Sequence, residues 1–377
     1  MPERPQALRA WAEVDLEAVK SNAAAIVKLA GPAAVMAVVK ADAYGHGLIP
    51  VARAALAGGA ACLGVATVEE GAALRAAGLN SPISLLCGFA LPEAASVVAH
   101  RLIASVGDVT SVEAIARAAQ PGTHPEVHLE IDTGMGRAGV LPGSAVSLYR
   151  KAKAAGLNVT GMFTHFADAD GADPGLTLMQ QQQFHNAAGD LAAEGAQIGQ
   201  FHLCNSAAAI RLDSGCGTLV RPGLLLYGIV PLACSRRDLP PLKPALALKA
   251  AICSVRSLPR GATISYGATH RLARDSRVAT MLLGYGDGYP RRLSNRGCVL
   301  LHGRRAPILG RVCMDQTVLD VTGIPQAAAG DIAVCIGEDG TEQITVEQIA
   351  EEIDTTEHEI TTCLTKRVPR LHLQSTW

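Results

Sequence analysis

The chain has 377 residues, a formal net charge of −1 and 49% hydrophobic residues. A chain of this length with so much apolar sequence is expected to form two domains, or one large barrel with an appended domain. The near-neutral charge gives no electrostatic reason to expect nucleic acid or an anionic membrane as a partner.

Targeting segments and metal motifs are also not expected. No apolar run is long enough to span a bilayer, and residues 1–10 contain no hydrophobic signal core, so we expect a cytoplasmic protein. The ten cysteines include no Cys-x-x-Cys pair. The sequence therefore predicts neither a zinc site nor a disulfide framework, and no metal is expected.

The first two-thirds of the chain alternates between predicted strands and predicted helices. A strand at 11–15 and a helix at 16–30 come first. Eight apolar segments bounded by turn residues are then predicted as strands, at 33–39, 62–65, 83–86, 102–106, 127–131, 159–163, 201–203 and 219–220. Eight strands with intervening helices predict an α/β fold with an N-terminal (β/α)8 TIM barrel, and a doubly wound sheet is the alternative.

The pattern changes near Pro244. Short strand-like segments then alternate with Gly, Pro and Asp turns, and one short helix is predicted at 345–352 from the capping-box pair Thr345 and Gln348. This predicts a C-terminal, mostly-β domain. We place the domains at 1–244 and 245–377, with the first strand free to join the β domain.

Polar residues follow five of the predicted barrel strands. In TIM barrels the catalytic residues lie at the C-terminal ends of the strands, so these clusters should meet on one face. Each cluster also has a plainer explanation as a surface lysine, a surface arginine, a core histidine or a helix cap. The residues are Lys40 after the first strand, Asp132 and Arg137 after the fifth, His165 after the sixth, Asn205 and Ser206 after the seventh, and Arg221 and Gly223 after the eighth.

The first and last of these clusters suggest a cofactor. A lysine that ends an apolar strand can be desolvated and become a nucleophile towards carbonyls. Loops after strands seven and eight often bind phosphate through backbone N–H groups. Here Ser206, Gly223 and Leu224 would bind it, with Tyr44 closing over it. A nucleophilic lysine beside a phosphate pocket suggests pyridoxal 5'-phosphate, which forms a Schiff base with lysine and acts as an electron sink.

Beyond these clusters, the chain resembles the bacterial alanine racemases over nearly its whole length. The matching stretches lie at 39–47, 131–137, 164–166, 205–206, 220–223, 265–267, 284–289, 310–316 and 367–370. Each is weak alone, but their number and order are specific. The resemblance implies a barrel followed by a β domain, pyridoxal phosphate, and a head-to-tail homodimer with shared active sites. It also implies racemisation of alanine, which supplies D-alanine for peptidoglycan.

The resemblance also implies roles for the acid–base residues. Lys40 would hold the cofactor and exchange a proton on the D side of the substrate, and Tyr266 of the partner subunit would serve the L side. His165 would bond to Tyr266 and Arg221. Arg221 would face the cofactor ring nitrogen.

The remaining implied roles concern the substrate and the cofactor phosphate. Arg137 would hold the substrate carboxylate, with Met314 and Asp315 of the partner subunit completing that end. Besides the phosphate-binding residues already named, Asn205 would contribute to the cofactor site. The implied entrance residues are Tyr285, Asp170 and Arg291.

Two positions depart from the family pattern. Glu130 stands where many members carry a carbamylated lysine, and we predict that its carboxylate orients Arg137 without carbon dioxide. His358 stands where tyrosine is usual, so it would contact the phosphate and change the entrance. A changed entrance leaves a broad-specificity racemase, acting on serine or larger amino acids, as an alternative. A related decarboxylase is a further alternative, against which Tyr266 and Arg137 argue. A non-enzymatic cofactor carrier is another, against which the C-terminal domain that holds Tyr266 and Met314 argues.

Overall fold

The computed structural model describes residues 8–212, 216–231, 239 and 241–373. They divide between two compact units. One runs from Ala18 to Lys243, and the other combines the described residues up to Glu17 with those from Pro244 onward. Strand β1 (Ala10–Asp15) belongs to the second unit, and helix α1 (Leu16–Ala30) follows it along the chain.

Eight parallel strands form the sheet of the first unit, in the order β8-β7-β6-β5-β4-β3-β2-β9. The Thr218 N–H donates to the Phe201 carbonyl at 2.8 Å, which joins the two ends of this sheet. The predicted (β/α)8 barrel is confirmed, and the sequential strand order excludes the doubly wound alternative. The strands are β2 (Ala34–Val38), β3 (Cys62–Val65), β4 (Ile83–Leu85), β5 (Ile103–Val106), β6 (Glu126–Glu130), β7 (Asn158–Phe163), β8 (Gln200–His202) and β9 (Leu219–Val220).

Helices follow the barrel strands and cover their outer faces, as the apolar periodicity predicts. Helix α4 begins with a capping box, in which Thr67 Oγ1 accepts from the Glu70 N–H and the Glu70 side chain accepts from the Thr67 N–H, each at 3.3 Å. The helices are α2 (Lys40–Tyr44), α3 (Leu48–Ala57), α4 (Val68–Ala76), α5 (Ala94–Ala99), α6 (Val109–Ala118), α7 (Ala145–Ala154), α8 (Gly175–Ala193) and α9 (Ser206–Arg211).

The second unit is mostly β, as predicted. Its long strand β10 pairs with β1, β13 and β17, so β10, β13, β16, β15, β14 and β17 form a closed ring. Strand β1 lies between β10 and β19. The remaining strands are β10 (Leu246–Leu258), β11 (Thr263–Ile264), β12 (His270–Arg271), β13 (Ser276–Met281), β14 (Cys298–Leu301), β15 (Arg304–Leu309), β16 (Thr317–Asp320), β17 (Ile332–Asp339), β18 (Glu342–Ile344) and β19 (Arg370–Leu373).

Two helices complete the second unit, α10 (Val346–Ile353) and α11 (Glu357–Thr362). The predicted capping box at Thr345 and Gln348 opens α10. Among the described residues, no helix has the length and apolar character needed to cross a membrane.

Candidate active site

Lys40 follows the first barrel strand and is half-buried. The next four residues, Ala41 to Tyr44, form a left-handed turn with φ of 53° or 54°. This conformation costs an L-residue roughly 1–2 kcal/mol, and none of the four is glycine. The Glu70 carboxylate stabilises the turn because its Oε1 accepts from the Ala41 N–H at 2.5 Å. A strained backbone is therefore held in place beside the predicted nucleophile.

Hydroxyl and amide groups meet where the last two barrel strands end. The Gly223 N–H donates to Ser206 Oγ at 2.9 Å, and both groups are buried. A Cβ on residue 223 would overlap the Tyr44 hydroxyl, so glycine is what lets this tyrosine lie over the loop. Asn205 caps α9 by accepting from the Ala208 N–H at 3.0 Å. Hydroxyl and N–H donors of this kind suit a phosphate group.

Arg221 is buried in the barrel and donates to protein acceptors through both terminal nitrogens. Its Nη2 donates to the carbonyls of Thr164, at 2.9 Å, and Leu203, at 3.1 Å. Nη2 also lies 3.3 Å from His165 Nδ1, which is the Arg221–His165 contact that the resemblance implies. Loss of hydration lowers the pKa of Arg221 to about 10, and the Glu130 charge opposes this shift. The guanidinium is thus a fixed cation inside the barrel.

Glu130 ends β6 and is buried. Loss of hydration raises its pKa, whereas the cations Arg137 and Arg221 act in the opposite direction. The carboxylate therefore lies within electrostatic range of both arginines. Arg137 itself is exposed.

The loop that carries Arg137 is closed by Asp132. Its Oδ1 accepts from the N–H groups of Gly134 and Gly136, each at 3.0 Å. Gly139 has φ +106°, and a Cβ there would lie 2.9 Å from the Glu130 carbonyl oxygen. Glycine is thus required where the loop passes back over β6.

Among the residues that the structure describes, three large hydrophobic side chains are exposed on the second unit, Tyr266 (72%), Met314 (51%) and Tyr285 (41%). Cys313 links their segments, because its carbonyl accepts from the Tyr285 N–H at 2.9 Å and its Sγ lies 3.2 Å from Ser265 Oγ. Exposed aromatic and thioether groups brought together in this way are typical of an interaction surface.

Asp315 belongs to a chain of charged residues in the same unit. Its carboxylate contacts Arg367, whose Nε lies 3.2 Å from Oδ1 of Asp287. Asp287 is fully buried, contacts Arg9 and accepts from the Gly284 N–H at 3.0 Å. Asp315 is therefore linked through Arg367 to a buried carboxylate that Arg9 also contacts.

The predicted entrance residues are all on the surface. Asp170 is exposed in the first unit, the barrel. Arg291, His358 and Tyr285 are exposed in the second, mostly-β unit. His358 lies in α11, where its carbonyl accepts from Thr362 Oγ1 at 2.7 Å. Because these residues are divided between two units, their grouping remains a prediction.

Comparison with known proteins is consistent with this geometry. A family model described as the alanine racemase N-terminal domain matches residues 14–231, and one described as the alanine racemase C-terminal domain matches residues 245–372. The chain belongs to the alanine racemase family. An alanine racemase of Halothermothrix orenii is 43% identical over 367 residues, which cover 96% of each protein.

Solved structures in the family match the whole chain. The alanine racemase of Streptomyces lavendulae is 36% identical, with a TM-score of 0.92 and 98% of each chain covered. The alanine racemase of Bartonella henselae, solved with covalently bound pyridoxal phosphate, is 27% identical, with a TM-score of 0.88 and coverage of 97% of this chain and 100% of that one.

In this alanine racemase family member, sequence reasoning missed several residues that contact the predicted site residues or their segments. Glu70 was given no role at the site, and Asp287 and Arg367 were identified only as parts of matching stretches. His128 and His202 were placed inside predicted strands without a role. The sequence feature that could have identified these two histidines is a polar side chain within a predicted strand. That feature alone does not show which residue the side chain contacts.

The cysteine prediction was wrong in one respect. Cys204 and Cys216 form a disulfide bond between the segment after β8 and the segment before β9. The spacing of 12 residues matched no motif, and the pair meets because adjacent barrel strands bring the two segments together. Among the described residues, no group of His, Cys, Asp and Glu side chains could hold a metal ion.

Acid should destabilise this family member partly through His128. Burial, and to a lesser degree the Arg221 charge, lowers the pKa of His128 to about 4. In the unfolded chain His128 has an ordinary pKa of ~6.5 and takes up a proton more readily than in the folded protein. The contribution of His128 to stability is therefore fully present above about pH 6.5 and is lost as pH falls towards about 4. We expect His128 to contribute about 2 kcal/mol to the loss between about pH 7 and about pH 4.5.

Urea unfolding of the parent and of His128→Gln at both pH values measures this contribution. The glutamine variant should lose less stability on acidification, and replacement of the exposed His124 by glutamine should leave the dependence unchanged. Equal losses in the parent and His128→Gln would contradict the assignment.

Proposed function

We propose that this protein interconverts L- and D-alanine, with pyridoxal 5'-phosphate as cofactor and Lys40 as its attachment point. The main support is the position of these residues in one barrel. Lys40 follows the first barrel strand, and the last two strands are followed by the hydrogen-bond donors Ser206 and Gly223 and by the cation Arg221. When bound, the cofactor supplies an electron-accepting ring that acidifies the substrate Cα. The relatives' names support alanine as the substrate over serine or a larger amino acid.

The residues present fit this cofactor. The buried Gly223 N–H and Ser206 hydroxyl, with the Tyr44 hydroxyl above them, are donors suited to its phosphate. We assign Asn205 and Leu224 to the same group, Asn205 through the cap that orders α9. The Arg221 guanidinium suits the ring nitrogen. Because arginine keeps its proton, that nitrogen stays unprotonated, which weakens the ring as an electron acceptor and disfavours side reactions.

Racemisation needs a proton-transfer group on each face of the planar Cα. In the proposal Lys40 takes and returns the proton on the D side, and Tyr266 of the partner subunit does so on the L side. The exposure of Tyr266 and Met314 supports a homodimer in which each subunit completes the other's site. His165, in contact with Arg221, would hold the phenol of the incoming tyrosine.

The substrate carboxylate is assigned to Arg137, assisted by the Met314 backbone and Asp315 of the partner subunit. Asp315 can approach a carboxylate because Arg367 neutralises it. Tyr285, Arg291 and Asp170 would line the entrance, with His358 contacting the phosphate. The proposed role is cytoplasmic supply of D-alanine for peptidoglycan. The proposed domains are 1–244 and 245–377, with strand β1 joining the second.

Deuterium incorporation at Cα tests the activity. The protein, pyridoxal phosphate and single L-amino acids are incubated in D₂O, and chirality is followed by chromatography. We expect exchange and racemisation of alanine. Comparable rates with serine or lysine would indicate a broad-specificity racemase, release of carbon dioxide a decarboxylase, and a bound-cofactor absorbance without exchange a carrier.

Replacing Glu130 with glutamine should lower kcat/KM for alanine about 10- to 100-fold, mainly through KM. The substitution removes the anion that faces Arg137, and a charged hydrogen-bonding partner contributes about 1.5–3 kcal/mol. The raised pKa of Glu130 also means that this carboxylate is protonated at a higher pH than an ordinary glutamate. The activity of the parent should therefore begin to fall at that higher pH on acidification. That acidic limb should be absent in the variant.

A lysine at the same position provides the control. Glu130→Lys restores the residue that many family members carbamylate, so bicarbonate should stimulate this variant and leave the parent unchanged. Parent-like kinetics for Glu130→Gln would show that Glu130 does not orient Arg137.

A further inference from the structure

Three buried side chains form a continuous line of contacts inside the barrel. His128 Nδ1 lies 2.9 Å from His202 Nε2, and His202 Nδ1 lies 3.1 Å from Nη1 of Arg221. His128 and His202 are 1% and 0% exposed. The line therefore joins β6, β8 and the residue after β9.

The donor character of arginine fixes the protons along this line. A guanidinium has only donors, so His202 Nδ1 must accept and its proton must be on Nε2. That proton points at His128 Nδ1, which must accept in turn and leaves the second proton on His128 Nε2. Each histidine is then neutral and carries its proton on Nε2.

We propose that His202 and His128 are positioning residues that keep Arg221 aligned by presenting it with an acceptor only. The inference rests on the proposed function, because the alignment matters through the cofactor ring nitrogen that Arg221 faces. A histidine protonated on Nδ1 would instead direct an N–H at the guanidinium and displace it. Neither histidine touches the cofactor in this arrangement.

The packing around the line supports one fixed orientation. Phe163 stacks on the His202 ring with centroids 4.8 Å apart and an 11° angle between planes, and the Arg221 guanidinium lies 5.5 Å from the centroid of the same phenyl ring. A Cβ on Gly161 would lie 2.5 Å from His128 Nε2, so glycine makes room for that ring. Burial also lowers the pKa of both histidines, in agreement with neutral rings.

The His128 Nε2 atom is buried without a hydrogen-bond partner among the described residues. An unsatisfied buried donor is unfavourable. Its presence is explained if His128 is retained to orient His202 and not for its own hydrogen bonds.

Long-range ¹H–¹⁵N spectra of the histidine rings, recorded at neutral pH with and without pyridoxal phosphate, test the proposal directly. His128→Gln and His202→Gln assign the signals. We expect both rings to be neutral with the proton on Nε2 in both forms. A proton on Nδ1, or an imidazolium signal, at either residue would overturn it.

Cofactor affinity gives a second readout. Glutamine at 202 can still accept from Arg221 and donate to His128, whereas leucine can do neither. We expect the dissociation constant of pyridoxal phosphate to rise at least about tenfold in His202→Leu and to stay within about threefold of the parent in His202→Gln. Unchanged affinity in His202→Leu would overturn the proposal.

These readouts separate the two proposals. Nε2–H rings in a protein without racemase activity would retain the positioning role and reject the proposed function. Racemase activity with Nδ1–H rings would do the reverse.

Discussion

Lys40→Ala is expected to lose at least about 10⁴-fold in kcat/KM for alanine, because it removes both the cofactor attachment and one proton-transfer group. Tyr266→Phe keeps the ring and removes the phenol, so it should lose about 10²- to 10⁴-fold, the usual contribution of a general acid or base. Both variants should retain the fold, since Lys40 is only half-buried and Tyr266 is largely exposed.

A mixture of the two variants tests whether the site is shared. In a hybrid dimer, one site would combine Lys40 of the Tyr266→Phe chain with Tyr266 of the other chain. Random subunit exchange makes about half of the dimers hybrid, and each hybrid has one intact site of its two. About a quarter of the parent activity should therefore return. Lys40→Ala mixed with the double variant is the control and should stay inactive. No recovery after demonstrated subunit exchange would reject the shared site.

The second large effect is expected from Asp287→Ala. Asp287 is fully buried, contacts Arg9 and Arg367, and accepts from the Gly284 N–H. Removing it deprives two arginines of a charged partner and leaves the buried Gly284 N–H without its side-chain acceptor. We expect the free energy of unfolding of the β unit to fall by about 3 kcal/mol. We also expect KM for alanine to rise, because Arg367 would lose the Asp287 contact that fixes it beside Asp315.

An exposed ion pair in the same unit provides the matched control. Arg305 Nε lies 2.7 Å from Glu342 Oε2, and both side chains are well exposed to solvent. Glu342→Ala should therefore change the stability by less than about 1 kcal/mol and leave KM unchanged. Urea unfolding and steady-state kinetics of both variants measure these effects. A stability loss for Asp287→Ala no larger than for Glu342→Ala would contradict the network's role.

The barrel could be predicted because its signals are local. Most strands contain a short apolar run with turn or polar residues close to its end, and Cys62–Val65 and Leu219–Val220 were predicted to the residue. The alternation of strands and helices indicated the fold class. In a (β/α)8 barrel the functional residues come directly after the strands, and this rule then indicated Lys40 and Arg221.

The positioning contacts could not be predicted because they join residues far apart in the chain. His128 and His202 are 74 residues apart, and their contact depends on strand register across the barrel. The Cys204–Cys216 disulfide likewise depends on how β8 and β9 approach. No glycine within residues 41–44 indicates positive φ in the sequence. The left-handed conformation there depends on partners such as Glu70.

That left-handed turn should reverse the usual ranking of substitutions next to Lys40. In an ordinary helix glycine is about 1 kcal/mol worse than alanine. At the exposed Ala41, with φ 53°, glycine should be tolerated while valine is rejected. A saturation library over residues 41–44 would thus rank substitutions by how well they tolerate a left-handed backbone. It could separate substitutions that fail because of backbone conformation from those that fail because a functional side chain is lost.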